Sequence, residues 1–145
     1  MKAQPAQLLI LVAASLFTAP GVQAGDSSAA RLNCSNAMLQ GAYAFEFSGY
    51  MPGGEAFASV GVQTFDGRGH FEVEGTTSIG GFIVRPSRFV GSYALGRNCL
   101  GTMYAIYPDG STGEADIVSA AGGRQVNAIL ADPGMAVTGQ MTRIK

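Results

Sequence analysis

From Gly41 onward the chain repeats one pattern, in which segments of roughly eight residues alternate apolar with polar or small side chains between clusters of Gly, Pro and Asp. Gly41-Ala-Tyr-Ala-Phe-Glu-Phe-Ser-Gly49 is the clearest case, with Tyr43, Phe45 and Phe47 on one face and Ala42, Ala44, Glu46 and Ser48 on the other. A period of two is the signature of a half-buried strand. Before this segment, Ser35 to Leu39 fits one helical turn, and nothing later reads as a long helix.

The pattern predicts eight strands. The second, Ala56 to Phe65, carries Ala58, Val60 and Val62 on one side, and Asp66-Gly-Arg-Gly69 turns the chain into the third, where Phe71 and Val73 face in. Ser78 to Ser87 is the least regular stretch and reads as a long loop or an edge. Strand four, Arg88 to Leu95, shows Phe89, Tyr93 and Leu95 on one face; strand five, Leu100 to Tyr107, shows Leu100, Thr102, Tyr104 and Ile106. Glu114 to Ala120, Arg124 to Ala131 and Met135 to Arg143 complete the series.

Short connections and the absence of crossover helices predict an all-β antiparallel meander. Eight strands leave two bare edges unless the sheet closes, and eight is the number at which a barrel's interior is just filled or holds one small ligand. The expected fold is therefore an eight-stranded up-and-down barrel over residues 34–145, with a two-sheet β-sandwich as the alternative.

The segment before the strands reads as an address. Lys2, the apolar run Leu8 to Ala19 and Val22-x-Ala24 have the form of a cleaved signal peptide over residues 1–24, followed by a small, polar, flexible N-terminus over residues 25–33. The apolar run is too short for a membrane span of about 20 residues. The expected location is secreted or periplasmic. An oxidising compartment then favours the one pairing available to two cysteines, Cys34 with Cys99, over a reactive thiol or a metal pair.

After removal of the leader, 8 basic and 10 acidic residues remain. The arginines are scattered from Arg31 to Arg143, so no basic patch suggests nucleic acid or an anionic membrane as partner.

Constellations that would announce a reaction are missing. His70 is the only histidine and stands beside a turn on a predicted outer face, with Asp66 four residues before it and no elbow serine to activate. Gly25-Asp-Ser27 lacks the leucine of a lipase motif, and Gly67-x-Gly69 lacks the third glycine and the helix of a dinucleotide site. Glu72 with Glu74, and Glu114 with Asp116, lie opposite apolar residues and read as solvated outer faces. Asp109 to Glu114 fails the alternating acidic pattern of a calcium loop. No catalytic residue, metal ligand or cofactor is predicted.

The stretch Cys34 to Tyr43, with Thr64-Phe-Asp-Gly-Arg-Gly69, Gly91-Ser-Tyr93 and Asn98-Cys-Leu-Gly-Thr102, resembles a group of small exported bacterial single-disulfide proteins similar to the allene oxide cyclase-like barrel. The resemblance covers most of the mature chain and implies the barrel fold. Allene oxide cyclase closes an unsaturated fatty-acid epoxide in an apolar cavity, so the resemblance also implies an isomerase or cyclase as one function, with no functional residue placed on this sequence.

What remains is the aromatic set Tyr43, Phe45, Phe47, Phe71, Phe89, Tyr93 and Tyr104, all assigned to inward faces. It predicts either a packed plug or a cavity for one small apolar ligand, with tyrosine hydroxyls as its polar contacts. A structural or surface-exposed protein would instead show a filled core and an outward apolar patch around Met103 and Tyr107. An outer-membrane barrel would turn the aromatic faces toward lipid.

Overall fold

A computed structural model of the chain describes residues 32–145. The segment read as a signal peptide, and all but the last two residues of the N-terminus expected to be flexible, lie outside the described residues. The strands are β1 (Gln40–Tyr50), β2 (Ala56–Asp66), β3 (His70–Ile79), β4 (Phe82–Leu95), β5 (Leu100–Ile106), β6 (Thr112–Ala120), β7 (Gln125–Leu130) and β8 (Ala136–Arg143). Each pairs antiparallel with its sequence neighbour, and β1 pairs with β8, so the sheet closes as an eight-stranded up-and-down barrel. Closure removes both edges, and the sandwich alternative falls with it.

Register fixes the two faces. Phe45 lies opposite Gly61, Gly61 opposite Gly75, Phe47 opposite Gly139 and Phe71 opposite Gly91. These pairs are not accidental juxtapositions, because a Cβ on Gly61 would come within 2.9 Å of the Phe45 ring and one on Gly75 within 3.1 Å. A strongly curved small barrel brings opposed backbones close, and rings laid over glycines fill the interior that side chains there could not.

Ser78 to Ser87 is not a loop. β3 and β4 run on as a hairpin whose turn is Gly80 and Gly81, both at positive φ (56° and 88°), which is what a two-residue hairpin turn requires. Gly75 pairs with Ser87 and Thr77 with Val84, so Arg85 and Pro86 together face Thr76 in a bulge. A proline is tolerated there because the bulge asks no ladder donor of it.

Two strands present the opposite face from the one their sequence suggests. On β2, Val60 and Val62 point to solvent, while Phe57, Ser59, Gly61, Gln63 and Phe65 point inward. On β5, Met103 is buried and Tyr104 is 48% exposed. The interior beside β5 already holds Phe65, Phe71 and Tyr93, so only the smaller Gly101 and Ala105, with Met103, fit on its inner side. Glu46, Glu72, Glu74, Arg88, Glu114 and Asp116 share the outer wall. Among the described residues no helix is long and apolar enough to cross a membrane.

Candidate functional site

The barrel has a closed end and an open one. At the closed end the 3₁₀ turn Asn36–Met38 lies across the lumen, bonded at Cys34 to Cys99 in the β4–β5 connection. Asn36 Oδ1 accepts a hydrogen bond from the Leu95 N–H at 2.7 Å. The Tyr93 hydroxyl donates to the carbonyls of Asn36 (3.0 Å) and Leu39 (2.9 Å). Tyr43 donates to the Gly123 carbonyl, and Arg143 donates to the Tyr43 oxygen and the Met38 carbonyl. Leu39, Tyr43, Phe65, Val126 and Met141 are fully buried in this half. Edge-on stacking of Phe65 against Tyr43 (5.1 Å) and Tyr93 (5.0 Å) makes it solid.

Above that floor the lumen is hollow. A cavity of about 620 Å³ opens between the β1–β2, β3–β4, β5–β6 and β7–β8 connections. One wall is aromatic, built from Phe45, Phe47, Phe71 and Phe89. The facing wall is small, with Ala105, Gly113 and Ala115. The cavity exists because of this imbalance, since Ala105, Gly113 and Ala115 leave space beside Met103 and Leu130 that the rings of the other wall do not fill. Its volume falls within the range of about 300 to 1,000 Å³ usual for small-molecule sites.

Of the seven aromatics singled out from the sequence, Phe45, Phe47, Phe71 and Phe89 line this cavity. Tyr43 and Tyr93 face inward but sit in the floor, where carbonyls of the closed end take their hydroxyl protons. Tyr104 is on the outer wall, its hydroxyl 3.2 Å from Glu114 Oε1. No hydroxyl of these three tyrosines therefore serves the cavity, and Met103 lies inside rather than in an outward patch. The outward apolar side chains near it are Val90, Tyr104 and Ile106.

Two of the polar groups that do line the cavity, Ser59 and Gln63, come from β2, whose inner face the alternation rule misses. Ser59 on β2 bonds to Thr77 on β3, oxygen to oxygen at 2.9 Å, and Gln63 is 3% exposed with its amide nitrogen 3.8 Å from the Met103 sulfur. Phe57 and Phe65, which share parity with Ser59 and Gln63, were the available signal. At the mouth, Tyr107 stacks on Phe89 at 5.0 Å, beside Met51, Val84 and Met135.

His70 is exposed on the outside of the closed end, its Nδ1 3.3 Å from Asp66 Oδ2. Asp66 Oδ1 also accepts the N–H groups of Arg68, Gly69 and His70, which holds the turn and keeps its carboxyl down at about 2. Among the described residues no three His, Cys, Asp or Glu side chains gather to hold a metal.

No protein-family model matches the chain, and no curated protein sequence does. Solved structures do. The redesigned β-barrel mFAP1 bound to DFHBI superposes with a TM-score of 0.54 at 17% identity, covering 78% of this chain and 99% of its own. EF1p2_mFAP2b bound to DFHBI gives 0.52 at 15% identity, covering 73% and 94%. A de novo designed fluorescence-activating β-barrel gives 0.50 at 17%, covering 72% and 92%. Designed and redesigned barrels stand here where the sequence resemblance placed allene oxide cyclase, and at these identities the likeness is one of fold.

Proposed function

We propose that this is an exported, non-catalytic barrel that takes up one small apolar molecule in the open half of its lumen. The observation that carries the reading is the cavity of about 620 Å³ between an aromatic wall and a small-residue wall. Rigid rings provide large contact area at little entropic cost on binding, and a largely pre-formed apolar site is the usual form of a ligand pocket. Two of the similar barrels, mFAP1 and EF1p2_mFAP2b, hold DFHBI, so the architecture accommodates a small guest in those proteins. Export is supported by the leader-like first 24 residues and by the disulfide, which suits an oxidising compartment. No observation favours a cyclase over this reading.

Titration of the chain from Gly25 to Lys145 with N-phenyl-1-naphthylamine tests it. The expected result is saturable, blue-shifted fluorescence at one site per chain, lost in Ala105→Phe, whose ring fills the small wall, with the circular dichroism spectrum unchanged. Linear, non-saturating fluorescence, or equal binding by a folded Ala105→Phe variant, would reject the cavity as the site.

A further inference from the structure

The cavity's deepest polar group carries information about its guest. Gln63 sits where the hollow half meets the floor, paired across the sheet with Tyr43 and Val73, and lines the cavity at 3% exposure. Among the described residues its amide has the Met103 sulfur as partner, at 3.8 Å. A thioether is a weak acceptor, so a carboxamide with two donors and a carbonyl is left far short of its hydrogen-bonding capacity. The Gln63 carbonyl oxygen is not sealed off but faces the cavity, so a guest there can complete the amide. Ser59 and Thr77, the cavity's hydroxyl pair, satisfy one another and the Thr76 carbonyl.

The charges around the cavity lie at its rim or on the outer wall. Asp109 lies at the mouth, while Glu114 and Arg88 turn their charged ends to the outer wall, where Glu114 accepts from the Tyr104 hydroxyl and Arg88 is held by Glu74, its Nε and Nη2 each 3.1 Å from the carboxylate. A carboxylate guest would lie against Gln63 with no free cation among the described residues to balance it, since Arg88 is paired with Glu74, and that costs far more than a neutral head does.

We infer that the ligand is an uncharged, single-headed apolar molecule that enters head first, its head both donating to and accepting from the Gln63 carboxamide. A primary amide, a lactam or an oxime has that chemistry, whereas a free fatty acid at neutral pH does not. The inference rests on the apolar-cavity reading and narrows its ligand class.

Displacement of N-phenyl-1-naphthylamine from the chain Gly25 to Lys145 at pH 7.5 separates the two. Decanamide, methyl decanoate and decanoate share a chain and differ in head, all used below their aggregation limits. Decanamide should displace the reporter at about tenfold lower concentration than methyl decanoate, which lacks the donor, and decanoate should be weakest. In Gln63→Leu the reporter should still bind while the lead of the amide over the ester disappears, with Gln63→Met as a second variant should leucine fail to fold. Decanoate competing as well as decanamide, or an amide lead that survives in a variant that binds the reporter, would overturn the neutral-head assignment and leave the cavity standing. No reporter binding by the unsubstituted chain would overturn both.

Discussion

Single residues at the closed end decide how the barrel answers pH. Burial, followed by the negative charge of Asp66, pushes the Tyr93 phenol up to about 12. A folded value above the ordinary 10.0 means that the folded chain holds this proton more tightly than the unfolded chain does. Tyr93 therefore contributes stability in full below pH about 10, and loses it as pH rises toward about 12. Urea midpoints across that window should fall, and Tyr93→Phe should flatten the slope. The same substitution leaves the Leu39 carbonyl without its donor and the Asn36 carbonyl with only the Leu39 N–H, so at pH 7 it should cost about 1 to 3 kcal/mol. Asp66 works in the opposite sense. Its carboxylate is held down to about 2 by the His70 and Arg68 N–H groups, so its stability is present above 3.8 and lost as pH falls through about 2. Acid unfolding of Asp66→Asn, followed by circular dichroism, should show a shallower decline between pH 4 and 2 than the unsubstituted chain.

At the scale of elements, the disulfide and the floor it anchors can be separated from the cavity. Cys34 and Cys99 are 65 residues apart, and closing a loop of that size is worth about 4 kcal/mol. The double substitution Cys34→Ser, Cys99→Ser should lower the unfolding free energy by about that amount while leaving reporter affinity unchanged, because neither cysteine lines the cavity. The glycines under the rings give a second test. Gly61→Ala brings a methyl against Phe45 and the opposed backbone, and should cost on the order of 1 to 3 kcal/mol by overpacking, read as a lower urea midpoint. Combining it with Phe45→Leu should recover part of the loss only if the ring, and not the backbone, is what the methyl meets. The same glycines explain what was legible from the sequence. β1, β3 and β4 announce their inner faces because rings alternate with polar or small residues. β2 and β5 do not, since the middle of their inner faces holds serine, glycine and glutamine between Phe57 and Phe65, or glycine and alanine around Met103, while valine, isoleucine and tyrosine face water. Alternation records which side chains are apolar, whereas the face a strand turns inward is fixed by the space its neighbours leave. Gln63 escapes notice for that reason: Val60 and Val62 outweigh the parity it shares with Phe57 and Phe65, and the Phe45 ring over Gly61 shows which face turns in. The β3–β4 hairpin was missed because Pro86 reads as a strand breaker, and only the pairing shows that it stands in a bulge.

The whole molecule is a barrel solid in one half and hollow in the other, and the division has a thermodynamic consequence. Interlocked rings, the 3₁₀ turn and the disulfide hold the closed end, while at the open end an aromatic wall faces an unfilled cavity. A guest that binds only the folded state adds RT ln(1 + [L]/Kd) to stability, about 2.7 kcal/mol at a hundredfold excess over Kd. For a domain of this size that raises Tm by on the order of 10 °C. The reporter at that excess should produce such a shift in the unsubstituted chain and none in Ala105→Phe. The shift should also persist undiminished in Cys34→Ser, Cys99→Ser, although that variant starts from a lower Tm, because sites that share no partners contribute additively. A shift that vanished with the disulfide would mean that the floor shapes the cavity, and the two halves would then have to be treated as one cooperative site.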